Sequence, residues 1–191
     1  MRTFGTENVF PELGGLVIRE PRRFTDDRGW FCEIWTTPGL QAAGLDLGFV
    51  QENHSYSARA GTLRGLHYQA PPRAQAKLVR CTRGAVRDVA VDVRRGSPTF
   101  AGWVAVELSA DNGRQLLIPA GFLHGFVTLT DDAEVQYMCS DTYSPSHDGA
   151  VRWDSVGVDW KLDAPPILSV KDQTAPAFPD WHSPFQWESP R

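Results

Sequence analysis

Two histidines, a lysine and a tyrosine carry most of the chemistry open to this sequence. His67 lies in the run Gly61-Thr-Leu-Arg-Gly-Leu-His67-Tyr-Gln69, and His124 closes Gly113-Arg-Gln-Leu-Leu-Ile-Pro119-Ala-Gly121-Phe-Leu-His124. An imidazole with an ordinary pKa of about 6.5 can take or return a proton near neutrality, provided a partner holds its other nitrogen. Histidines also bind metals, but a protein-held ion asks for three or four ligands. After His67 come Gln69, Arg73 and Ala74, none of them a good ligand, and then the cation Lys77. Each residue also has a plainer reading. His67 could be a satisfied core histidine, and His124 is equally open to a structural place after the Pro-x-Gly turn. Lys77 starts a strand whose Val79 and Cys81 point the same way, so its amine either snorkels at the strand end or faces a cavity. In a cavity, an ammonium would stabilise an oxyanion such as an enolate and ease removal of the neighbouring proton. Tyr137 shares a face with Val135 and Cys139, where an aromatic in isolation reads as core.

The elements that must position these residues are strands. Period-two alternation marks Leu16–Ile18, Trp30–Trp35, Leu63–Gln69, Ala76–Cys81 and Ala85–Val93, then Gly102–Leu108, Arg114–Ile118, Gly125–Leu129 and Glu134–Cys139. Turn residues separate them at 26–29, 94–98, 110–113 and 130–132. Within Ala85–Val93, Val89, Val91 and Val93 share one face, and Asp88 and Asp92 share the other. Helices are few and short: one over Thr37–Ala43 and a turn near residue 147. Short strands without a βαβ rhythm predict an all-β sandwich or barrel. From Asp163 the chain is rich in proline and is expected to lie extended over the barrel. The 191 residues fit one domain over 1–191, without internal repeat or linker. Net charge is −4, which does not suggest a nucleic-acid or anionic-membrane surface, so an anionic ligand must be met by local cations. Three scattered cysteines, no apolar leader at Met1–Glu7 and no membrane-length apolar run predict a cytoplasmic, reducing setting.

With the strands placed, the two histidine segments resemble the paired motifs of a cupin, which implies an all-β double-sheet β-barrel (jelly roll). There the first motif ends His-x-His followed by Glu, and the second ends Pro-x-Gly-x-x-His. Gln69 stands where the second His belongs, and no Glu follows at Arg73 or Ala74. The resemblance sharpens along Phe24-Thr-Asp-Asp-Arg28-Gly-Trp-Phe31-Cys-Glu33, Gln51-Glu-Asn53 and Leu63-Arg64-Gly-Leu-His67. It continues through Lys77-Leu-Val, Pro119-x-Gly-x-x-His124-Gly-Phe126, Tyr137-x-Cys139 and Leu168-Ser-Val-Lys171-Asp172. From about residue 15 to 175 the chain is similar to the dTDP-4-dehydrorhamnose 3,5-epimerases, a family of deoxysugar-nucleotide epimerases.

That resemblance implies roles. His67 is the base, Asp172 orients it, Lys77 steadies the enolate and Tyr137 donates a proton on the opposite sugar face. Arg28, Arg64 and Lys171 are cations for a diphosphate, although each taken singly reads as a solvated surface residue. Phe31, Glu33, Gln51, Asn53, His124 and Asp148 contact nucleotide or sugar, and Tyr143 stacks on the base. The segment carrying Arg28 and Phe31 is expected to cross to a second copy, giving a homodimer with shared sites. No cofactor is implied, because the substrate already carries its ketone, and no metal, because the cupin ligand set has lost its second His and its Glu, which points to proton transfer. Asp148 replaces the family's more usual Glu, Ser155 stands where Pro is usual, and Lys161 follows Trp160 where Pro is common. Three other readings stay open: epimerisation at one carbon only, a metal-dependent cupin, and a binding module without catalysis.

Overall fold

Valine-rich alternation produces two antiparallel sheets that face each other across one apolar layer. The structure, a computed structural model, describes residues 6–7, 15–42 and 48–188. The N-terminal stretch read for a leader, Ala43 and Pro190 therefore lie outside the described residues, apart from Thr6–Glu7. The strands, in order, are β1 (Thr6–Glu7), β2 (Val17–Arg19), β3 (Arg23–Asp26), β4 (Gly29–Cys32), β5 (Gln51–Ser57), β6 (Leu63–Gln69) and β7 (Lys77–Arg83). They continue as β8 (Ala85–Asp92), β9 (Trp103–Ser109), β10 (Gln115–Ile118), β11 (Phe122–Thr128), β12 (Ala133–Cys139) and β13 (Asp148–Ala150). One sheet runs β1-β2-β10-β7-β12-β5 and the other β13-β6-β11-β8-β9, while β3 and β4 form a separate hairpin. The sheets stack without joining into a closed ring of ladders, a cupin-like arrangement.

Between the sheets, Val79, Cys81, Leu116, Ile118 and Val135 of the larger sheet meet Val86, Ala90, Val104, Val106, Phe122 and Phe126 of the smaller one. On β8 the alternation sends Val89 and Val91 to the outer face, with Val93 just beyond the strand. There they pack with Leu63, Leu123 and Val127 against Val151, Trp160 and Phe185. The tail supplies much of that outer cover. It is not simply extended, as its prolines led us to expect: it contains a short helix α2 (Val170–Thr174) and a 3₁₀ turn at Phe178–Asp180. Ser169 starts α2 by accepting the backbone N–H of Asp172 on its hydroxyl, 3.1 Å away, so the prolines give way to one capped turn. A second short helix, α1 (Thr37–Ala42), follows the hairpin. The turn near residue 147 is present just before β13.

Strand β5 was not anticipated, because Gln51-Glu-Asn-His-Ser-Tyr-Ser57 has no apolar alternation. It forms because β12 pairs with it residue for residue, from Cys139 opposite Gln51 to Ala133 opposite Ser57. Its half-buried positions Gln51, Asn53 and Ser55 are polar, and each lines a cavity (below) instead of the apolar core.

The backbones of β6 and β11 approach closely at two glycines. Gly65 sits at φ +136, and a Cβ there would lie 2.6 Å from the Cα of Gly125 and 3.0 Å from the His124 carbonyl. Beside this contact the ladder places His67 directly opposite His124 before its register shifts toward Phe126. Gly65→Ala is expected to cost at least about 2 kcal/mol, because backbone meets backbone and neither can yield cheaply. Urea unfolding measures this, and a midpoint within error of the parent would contradict it.

Candidate active site

A cleft opens where the apolar layer between the sheets gives way to polar side chains. It has two adjoining chambers of about 380 and 350 Å³, and His67, Lys77 and Tyr137 line both. His67 comes from β6 of the smaller sheet, whereas Lys77 and Tyr137 come from β7 and β12 of the larger one. The imidazole and the phenol therefore reach the cavity from opposite walls. Lys77 lies beside Tyr137, with Nζ 5.8 Å from the ring centroid.

His67 is held by a carboxylate. Its Nε2–H donates to Asp172 Oδ1 at 2.5 Å, and the other carboxylate oxygen accepts from Ser169 Oγ at 2.7 Å. In the neutral imidazole this leaves Nδ1 as the nitrogen that can accept a proton. Burial opposes ionisation of Asp172, but the bonds from His67, Ser169 and the Gly65 backbone outweigh it and hold the carboxyl below its ordinary range. Lys77 is pushed the other way. Desolvation lowers its pKa, only partly countered by Cys139, Asp88 and Asp148. Desolvation also raises the Tyr137 phenol, so it keeps its proton at neutral pH.

Of the remaining sequence candidates, Arg64 and His124 line the first chamber, and Gln51, Asn53, Tyr143 and Asp148 line the second. Arg64 donates to the Tyr56 carbonyl at 2.9 Å and to Ser57 Oγ at 3.2 Å, which aims its guanidinium along the cavity wall. Lys171 bonds Asp148, which also accepts from the Tyr143 hydroxyl at 3.3 Å. Arg28, Phe31 and Glu33 line neither chamber. The Arg28 side chain is 89% exposed and bonds Asp26 at 2.6 Å, while Phe31, on β4 opposite Phe24, is 70% exposed.

Two contributors escaped the sequence reading. Asp88, fully buried, receives His124 Nε2 on both oxygens at 3.0 and 3.1 Å. The signal was present in the two acids, Asp88 and Asp92, that share one face of a valine-rich strand. Ser169 had no signal beyond its position before α2. Among the described residues no group of three His, Cys, Asp or Glu side chains is gathered as for a metal ion.

A carboxylate-held histidine on one wall, with a phenol and a half-buried lysine on the other, in a cupin-like double sheet, is an arrangement suited to acid–base chemistry on a bound ligand. The family model described as dTDP-4-dehydrorhamnose 3,5-epimerase matches residues 11–180. A protein of that name from Sinorhizobium fredii is 48% identical over 177 residues, covering 92% of this chain and 91% of its own. A Bacillus anthracis dTDP-4-dehydrorhamnose 3,5-epimerase, solved with TDP and pyrophosphate bound, superposes with a TM-score of 0.86 at 44% identity and covers 92% of this chain and 99% of its own. The Legionella pneumophila enzyme in complex with dTDP-4-keto-L-rhamnose gives 0.87 at 40% identity, with 91% and 94% covered. The chain belongs to the dTDP-4-dehydrorhamnose 3,5-epimerase family, and it is an isomerase.

The Asp172 carboxyl has a testable signature. A folded-state pKa below the unfolded value of about 3.9 stabilises the fold above that value, and the contribution fades as pH falls through the folded pKa. The gap in urea midpoint between the parent and Asp172→Asn is therefore expected to be widest at neutral pH and to narrow below about pH 4. A gap that widens on acidification would rule out the assignment.

Proposed function

We propose that this protein inverts C3 and C5 of dTDP-4-dehydro-6-deoxy-D-glucose, giving dTDP-4-dehydro-L-rhamnose. The carrying observation is that His67 and Tyr137 enter one cavity from opposite sheets. A flat sugar held between them presents one face to each, which inversion at a carbon requires. His67, with Nε2–H committed to Asp172, takes the proton next to the C4 ketone on Nδ1. Electron density moves to the C4 oxygen, and Lys77 steadies the enolate there. Its desolvated ammonium is a stronger hydrogen-bond donor than one in water. Tyr137 then delivers its proton to the opposite face of the carbon.

The nucleotide fits the second chamber, with Tyr143 stacking on the base and Gln51, Asn53 and Asp148 around it. His124 lies on the wall of the first chamber, toward the sugar. Arg64, on the wall of the first chamber, and Lys171, bonded to Asp148 beside the second, supply cations for the diphosphate. Arg28, Phe31 and Glu33 would complete the site of a second copy, as their exposed hairpin is far better suited to covering a neighbour than its own cavity. On this reading the chain is one functional unit over 1–191 that works in the cytoplasm as a homodimer with shared sites. It uses neither nucleic acid nor membrane: its net charge is −4, and among the described residues no helix is long and apolar enough to cross a membrane. No cofactor is needed, since the ketone already acidifies the neighbouring protons. Both cavity histidines give Nε2 to carboxylates, an arrangement that serves proton transfer.

In D2O with dTDP-4-dehydro-6-deoxyglucose, NMR is expected to show deuterium at both C3 and C5, with an L-configured product trapped by a reductase. Exchange at one carbon only would make this a mono-epimerase, and none would mean a different substrate. His67→Ala should lower turnover by about 10²–10⁴-fold. Tyr137→Phe separates the two half-reactions: exchange at the carbon that His67 serves persists, while inverted product is lost. Equal loss of both would remove Tyr137 from the donor role. Treatment with EDTA followed by desalting is expected to leave the rate unchanged, and activity restored only by added iron or zinc would overturn the proton-transfer reading.

A further inference from the structure

We infer that Gln69 is a positioning residue for nucleotide binding, acting by fixing the backbone on both sides of Tyr143. The inference rests on the reading that Tyr143 stacks on the base. Gln69 ends β6, and only 5% of it is exposed. Its Nε2 donates to the carbonyl of Thr142 at 3.1 Å and to the carbonyl of Arg73, and its Oε1 accepts the backbone N–H of Ser144 at 2.8 Å. Tyr143's own N–H donates to Gln51 Oε1 at 2.7 Å. The peptide groups flanking Tyr143 are thus held by two glutamines, while its side chain stays 56% exposed toward the second chamber.

Other stitches stop short of this residue. Gln75 Nε2 donates to the Asp141 carbonyl at 2.8 Å, and Arg73 Nη2 donates to Thr142 Oγ1 at 2.7 Å. Only a carboxamide suits position 69. It must donate to two carbonyls and accept from one N–H within a buried space. A carboxylate would set an acceptor against the two carbonyls, and an apolar side chain would leave all three backbone groups unpaired. An aromatic platform that is already ordered spares the ligand the entropy of ordering it. Gln69 thus acts on nucleotide affinity through Tyr143 and not on the proton transfers at His67 and Tyr137.

The test compares dTDP binding by calorimetry, together with KM and kcat, in the parent, Gln69→Met, Tyr143→Ala and the double variant. Gln69→Met keeps the volume and removes the three bonds. It is expected to weaken dTDP by about tenfold and to raise KM more than it lowers kcat. In the Tyr143→Ala background the same change should add less than about twofold, since two residues acting through one contact are not additive. Unchanged dTDP affinity in Gln69→Met overturns the inference, as does a full penalty that persists without the Tyr143 ring. Should Tyr143→Ala itself bind dTDP normally, the stacking reading fails and takes this inference with it. Should Tyr143→Ala weaken binding while Gln69→Met does not, the inference alone fails. Gln69→Glu, which keeps the acceptor for Ser144, serves the same comparison if the methionine variant does not fold.

Discussion

The gap between two sheets is the constraint from which the rest of this site follows. Stacked sheets sit about 10 Å apart, and side chains from both walls normally fill that space. Here they do so at one end, where Val79, Leu116 and Val135 meet Val86, Val106 and Phe126. At the other end the inward positions become Gln51, Asn53, Ser55, His67, Lys77 and Tyr137, and a cleft remains. A ligand in that cleft has a different sheet on each side. Placing a base on one wall and an acid on the other therefore needs no special loop, only the choice of inward residue on β6 and on β12. Apolar packing at the closed end holds the spacing that the open end uses.

Burial then sets the protonation states, and it acts differently on each group. Desolvation disfavours charge on Lys77 and on Tyr137, which lowers the first pKa and raises the second. Asp172 experiences the same penalty yet remains ionised, because His67, Ser169 and a backbone N–H all donate to it. The difference is hydrogen bonding: a carboxylate can accept several donors at once, whereas the Lys77 ammonium faces an aromatic ring and more distant charges. Asp88 sits beneath this arrangement. It takes both its contacts from His124 and helps to counter the desolvation of Lys77 from one buried position.

How much of this could be read from the sequence depends on how each residue's signal arises. Alternation exposed β12 because its inward Ala133, Val135 and Cys139 are apolar and Glu134 and Gln136 between them are not. It missed β5, whose inward Gln51 and Asn53 are polar for the very reason that they line the cavity. The motif around His67 and His124 pointed to the two strands, and the ladder sets those residues opposite each other. What no local pattern carries is contact between distant segments. Asp172 was placed beside His67 by resemblance, Asp88 was noticed only as a face of β8, and the bonds of Gln69 reach a loop more than seventy residues away. The proline-rich tail misled in one respect, because a serine cap can start a turn of helix between prolines.

That turn of helix matters more than its five residues suggest. In a metal-binding cupin, motif histidines converge on an ion, which itself fixes their orientation. Here His67 and His124 each turn Nε2 to a carboxylate, and one of those carboxylates comes from the tail. Asp172 reaches His67 because Leu63 N–H donates to the Ile167 carbonyl at 2.9 Å, and Ile167 N–H donates to the Gly61 carbonyl at 2.9 Å. Those two bonds add the tail to the edge of the strand that carries His67, and the Ser169 cap then turns Asp172 inward. An ion-centred site can be assembled by its ligands alone. On the proposed reading of His67 as base, the orienting group must be delivered by the chain, so docking of residues 167–172 on β6 is part of making the base.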